Sequence, residues 1–144
     1  MSVQARLAAM RPHQVFLVDG LGALVSTLLL GIMMVRFESI FGMPASVLYA
    51  LAAIAAGFSL YSILCWVIEP ANWRPWLRGI ASANLLYCCL TVGLVITRQD
   101  DLSLLGTSYF AGEIAVVVVL ALFELRVASN PVAANDSAND SWLR

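Results

Sequence analysis

Four side chains that could build a proton or ligand site, three carboxyls and an amide, sit inside stretches that are otherwise oily: Asp19, Asn84, Glu113 and Glu124. A carboxyl placed among apolar residues must be paired, hydrogen-bonded or protonated, because an isolated buried charge is strongly disfavoured. That restricts the chemistry to proton binding, ion pairing or hydrogen bonding. Ser26, Tyr87, Thr91 and Tyr109 supply further hydroxyls at helical spacing from these four, and Ser62 supplies one from a run that holds none of them. No nucleophile has a base beside it, since the single histidine, His13, lies before the first apolar run. There is no nucleophile elbow, no phosphate-binding loop and no H-E-x-x-H, so an enzyme is not expected. One histidine also excludes bis-histidine haem ligation. The cysteines Cys65, Cys88 and Cys89 form no C-x-x-C, so neither a metal nor another cofactor is expected.

The elements that must position these groups are membrane-length. Between Val15 and Val35 only Asp19 is charged, and about 20 such residues at 1.5 Å each cross a hydrocarbon core of about 30 Å. At 100° per residue, Asp19, Gly22, Ala23, Ser26 and Thr27 share one small, polar face, suited to helix contact. Leu17, Leu21, Leu24, Leu28, Ile32 and Val35 fall opposite, towards lipid. A second run carries Ala52, Ala55, Ala56, Ser59 and Ser62 on one face. A third places Asn84, Tyr87, Cys88 and Thr91 in one stripe. The fourth holds Glu113 and Glu124, eleven residues apart and nearly in phase.

The whole chain agrees with this. Of 144 residues, 61% are hydrophobic and 12% charged, against about 25% charged in soluble domains. The expectation is an all-α polytopic membrane protein, four transmembrane helices in an up-down antiparallel bundle, with spans at about 15–36, 45–68, 77–97 and 107–127. Residues 1–14 read as a cytoplasmic leader and 128–144 as a disordered cytoplasmic tail, too polar to bury itself. A cleaved signal peptide is disfavoured by the length of the first run. Trp66, Trp73 and Trp76 around Arg74 and Arg78 read as interface anchors, an aromatic belt with basic flanks.

The eight basic residues are all arginine. With four spans, Arg6, Arg11, Arg74, Arg78, Arg126 and Arg144 share one side, and Arg36 and Arg98 the other. Both termini are therefore expected in the cytoplasm. A net charge of −1 does not favour nucleic acid as a partner. The expected partner is the lipid bilayer, with a homodimer or larger membrane complex compatible with four short helices. Counting residues from each span's middle places Asp19 and Glu124 about 10 Å to the cytoplasmic side. Ser62 and Asn84 fall in that half, while Glu113, Thr91 and Tyr109 lie in the outer half and Ser26 near the middle.

The runs FLVDGLGALVSTLLLG, WRPWLRGIASANLLYC and YFAGEIAVVVVLALFEL resemble a group of small four-span bacterial membrane proteins without an assigned activity. The resemblance covers residues 14–128. It implies a prokaryotic inner membrane and four helices, and brings no catalytic residues with it. Small multidrug-resistance transporters are an analogy of size only.

Three functions are compatible with the pattern. In the first, the polar residues set helix packing in a non-enzymatic membrane partner or structural component, with Arg78 and Arg126 pairing Asp19 and Glu124, and Arg36 or Arg98 reaching Glu113. In the second, Asp19 or Glu113 titrates and couples protons to transport. In the third, a cavity lined by Asn84 and Thr91 carries a hydrophobic ligand.

Overall fold

The computed structural model describes residues 11–129. Most of the expected leader, and of the expected tail, lies outside them. The chain forms α1 (Pro12–Leu28), a wider π-helical continuation (Leu29–Met34), a single turn α2 (Glu38–Phe41), and the long helices α3 (Ala45–Ile68), α4 (Trp73–Thr97) and α5 (Leu104–Ser129). Among the described residues there is no strand.

Each boundary has a local cause. Pro12 opens α1, where its missing N–H costs nothing, and Gln14 reaches back to accept a hydrogen bond from the Arg11 N–H at 3.3 Å. The expected leader therefore gives up its last three residues to the first helix. Trp73 opens α4, with Pro75 in its first turn. Trp73, Arg74 and Trp76, which precede the expected start of the third span at 77, are already helical. Ser103 caps α5 by accepting from the Gly106 N–H at 3.1 Å, so that helix starts three residues before the expected 107.

Helices α1, α3 and α4, the first with its π continuation, span 23, 24 and 25 residues and are long and apolar enough to cross a membrane. The helix α5 has 26 residues and carries Glu113, Glu124 and Arg126. Successive long helices alternate in direction. Helix α1 packs along α3, and α4 along α5, with α2 seated on the start of α5.

Two apolar clusters join the pairs. Val15, Phe16, Cys65, Leu77, Ile80 and Ala128 fill the end that holds both described chain ends. Leu30, Met34, Met43, Leu48, Leu51, Tyr87 and Phe110 fill the far end. Leu21, Ile32, Leu60, Leu86, Val116 and Val119 stay exposed on the outside.

At the far end the chain closes tightly. Gly42 adopts φ +80°, and a Cβ there would stand 2.0 Å from the Asp101 carbonyl oxygen. A Cβ on Gly106 would stand 2.3 Å from the Phe41 oxygen. Ser103 N–H donates to that same Phe41 carbonyl at 3.1 Å. Glycine is required at both places for the α2 turn to reach the start of α5.

Candidate functional site

Between the two apolar clusters lies a polar layer to which each long helix contributes one side chain. Asp19 of α1 is 2% exposed. The Ser62 hydroxyl of α3 donates to its Oδ2 at 2.5 Å, and the Asn84 amide of α4 donates to its Oδ1 at 2.9 Å. Glu124 of α5 is 0% exposed and lies against Asp19 and Asn84. Neither Glu124 oxygen makes a hydrogen bond of good geometry.

This grouping follows from one close approach. A Cβ on Gly20 would stand 2.9 Å from Ile63 Cγ1, so only glycine lets α1 lie this near α3. Ser59 seals the contact by donating to the Gly20 carbonyl at 2.8 Å. Asp19 is the next residue on α1 and Ser62 the next turn of α3, so the same contact delivers carboxylate to hydroxyl.

The expected packing faces need two corrections. Gly22 is exposed with nothing near it, and Ala56 is exposed as well. The close contact on α1 runs instead through Phe16, Asp19 and Gly20. On α3, Ala52, Ala55, Ser59 and Ser62 are buried as expected.

A second polar group lies towards the far end. Tyr87 donates its hydroxyl to Glu113 Oε1 at 3.2 Å, and the Ser26 hydroxyl and Tyr109 ring lie beside the same carboxyl. Thr91 is wholly buried and returns its hydroxyl to the Tyr87 carbonyl at 2.9 Å. The other Glu113 oxygen is buried without a partner.

The arginine partners anticipated for these acids are not there. Asp19 is held by a hydroxyl and an amide, and Glu113 by a phenol. Among the described residues, Glu69 at the end of α3 lies instead beside His13 of α1. No cluster of three or more histidine, cysteine or acidic side chains able to hold a metal occurs among them.

The anchors occupy the end that holds both described chain ends. The Trp66 indole N–H donates to His13 Nε2 at 2.9 Å with the rings stacked at 5.6 Å, while His13 Nδ1 lies 3.1 Å from Glu69. An indole only donates, so Nε2 is the lone-pair nitrogen of His13 and its ring proton sits on Nδ1. Tyr61 donates to the Trp76 carbonyl at 3.1 Å. Arg74 lies over the Trp73 ring at 5.6 Å, and Arg78 is exposed.

Comparison with family models, with curated proteins and with solved structures finds no match. The chemistry of the site therefore has to come from its own geometry.

Sequence reasoning missed Gly20, Ser59's bond to it, and the His13–Trp66–Glu69 cluster. The phase of an ideal helix separates Gly20 from Gly22 only once the partner surface is known. The partners of His13 lie 53 and 56 residues along the chain, and no local pattern announces them.

Proposed function

We propose that this chain is a small integral protein of a bacterial inner membrane, with α5 as a fourth span and both ends of the bundle's chain on the cytoplasmic face. Its role is non-enzymatic: it serves as a membrane partner or structural component, and its polar interior locks two helix pairs into one bundle. The observation that carries this reading is the polar layer itself. Asp19, Ser62, Asn84 and Glu124 come one from each long helix and meet in protein-enclosed space.

Burying Glu124 there supports α5 as a span, because the helix must then run alongside the other three. The arginine distribution supports the orientation: Arg11, Arg74, Arg78 and Arg126 sit at one end of the bundle and Arg36 and Arg98 at the other.

The competing transport readings have less behind them. Asn84 and Thr91, which would line a ligand cavity, are buried and spent on Asp19 and on the Tyr87 carbonyl. Glu113 and Glu124 are eleven residues apart on one helix, about 16 Å along its axis, too far for direct proton transfer.

The topology test is single-cysteine labelling in sealed inverted and right-side-out vesicles, on a background in which the native cysteines are replaced. Cysteines placed at Arg11 and Ser129 should react from the same side. Opposite sides would leave three spans and remove the fourth. For the role, gentle solubilisation should recover the chain with a stoichiometric membrane partner or as a homo-oligomer. A proton-driven uptake that Glu113→Gln abolishes in reconstituted vesicles would overturn the structural reading.

A further inference from the structure

Among the described residues, Glu124 is the one acid whose two oxygens are both buried without a good hydrogen bond, and it lies against a carboxylate that is already well supplied with donors. We infer that Asp19 and Glu124 form a proton-binding site that holds one proton between two carboxyls, bridging the α1–α3 pair to the α4–α5 pair. Asp19 receives the Ser62 hydroxyl on Oδ2 and the Asn84 amide on Oδ1, the pattern of an ionised carboxylate. A carboxylate only accepts, so a second ionised acid in the same enclosure would face its neighbour with no donor between them. A protonated Glu124 supplies that missing donor and leaves the pair with a single negative charge, the arrangement two adjacent carboxyls adopt elsewhere.

The ligand is a proton and not a metal ion. A hard cation gathers lone pairs from several oxygens, whereas Ser62 and Asn84 turn their hydrogens towards Asp19.

The charges around the site leave little else to compensate it. Asp19 is the acid that α1 presents; His13, six residues earlier, is committed to Trp66 and Glu69. Helix α3 presents Ser62, with Cys65 and Tyr61 nearby, the Tyr61 hydroxyl being spent on the Trp76 carbonyl. Helix α4 presents the neutral Asn84 and the thiol of Cys88, whose sulfur faces the Ile114 carbonyl of α5. Helix α5 presents Glu124, with Arg126 two residues on and so about 200° round the helix.

The proton gives a readout that packing alone does not. The folded pair binds one proton that the separated acids, both ionised at neutral pH, do not bind. Stability must then fall as pH rises, with the unfolding equilibrium constant increasing about tenfold per pH unit through the neutral range. The full chain in lipid nanodiscs is unfolded with denaturing detergent at a series of pH values, alongside Glu124→Gln. The wild-type constant should climb relative to that of the variant, whose amide has no proton to lose. Parallel curves overturn the site.

Should Glu124→Gln fail to fold, infrared spectroscopy decides. The chain is labelled with 13C-glutamate in a Glu113→Gln background, where Glu38 and Glu69 are exposed. A protonated-carboxyl stretch from labelled glutamate at neutral pH is expected; its absence overturns the proposal. Loss of that band on adding sodium or potassium chloride at fixed pH also overturns it, and makes the site one for a metal cation.

Discussion

Ser62 and Asn84 illustrate how one residue decides the character of a buried acid. Both are donors, both are buried, and both spend a hydrogen on Asp19. Replacing one by an apolar residue leaves a carboxylate oxygen unsatisfied in a protein-enclosed site, which costs about 1–3 kcal/mol. Ser62→Ala should therefore destabilise the folded bundle by that amount in detergent unfolding. Ser46→Ala, at an exposed position of the same helix, should change stability by less than about 0.5 kcal/mol. Equal effects would show that Asp19 does not depend on its hydroxyl donor. Tyr87→Phe probes the other polar group in the same way. It removes the phenol from Glu113, which retains Ser26 as a neighbour, so its cost should be smaller than that of Ser62→Ala in the same assay.

At the scale of the element, the close contact between α1 and α3 is made by a glycine and sealed by a serine. Gly20 lets α1 approach α3, and the Ser59 hydroxyl bonds to its carbonyl. Gly22, two residues on, meets nothing within 4 Å. Gly20→Leu should thus force the pair apart and weaken a Phe16→Cys/Cys65 crosslink, since both positions belong to one apolar cluster. Gly22→Leu should leave that crosslink and the thermal transition unchanged. A result in which both variants behave alike would mean that α1 does not present this face to α3. The far-end connection carries the same logic with backbone strain added. Gly42 has positive φ and no room for a side chain, so Gly42→Ala should lower stability by more than 1 kcal/mol on thermal unfolding, as expected of a non-glycine residue forced into a strained conformation against another backbone.

For the molecule as a whole, the outside of the bundle is as apolar as its inside. Leu86 is 72% exposed near the middle of α4, and Val116 and Val119 are each 68% exposed on α5. Contiguous exposed apolar surface on this scale calls for a non-aqueous neighbour, and on the proposed membrane reading acyl chains supply it. Leu86→Arg should reduce insertion of α4 by about 2.5–3.5 kcal/mol in a translocon-based insertion assay, the cost of arginine near a helix centre. An unchanged insertion efficiency would place Leu86 against a protein surface or near an interface and not in the hydrocarbon. The same insertion assay applied to the segment 104–129 measures whether α5 enters on its own apolarity or depends on its neighbours to shelter Glu113 and Glu124.

The amino-acid sequence alone determined that the described chain is helical and apolar, and it put Asp19, Ser62, Asn84 and Glu124 in the same half of their runs, where the structure has them meet. Those properties depend on local apolarity, on a 3.6-residue repeat and on a fixed rise per residue, all of which are written along the chain. Only the tertiary structure decided that Gly20 and not Gly22 is the contact, that hydroxyl and amide donors hold Asp19 where arginines were expected, and that His13 belongs to Trp66 and Glu69. Helical phase drifts by tens of degrees over a few turns, so an ideal repeat does not fix which side chain meets a neighbour. Partners 43 to 65 residues apart are then chosen by which surfaces fit, a property of two helices together and of neither one alone.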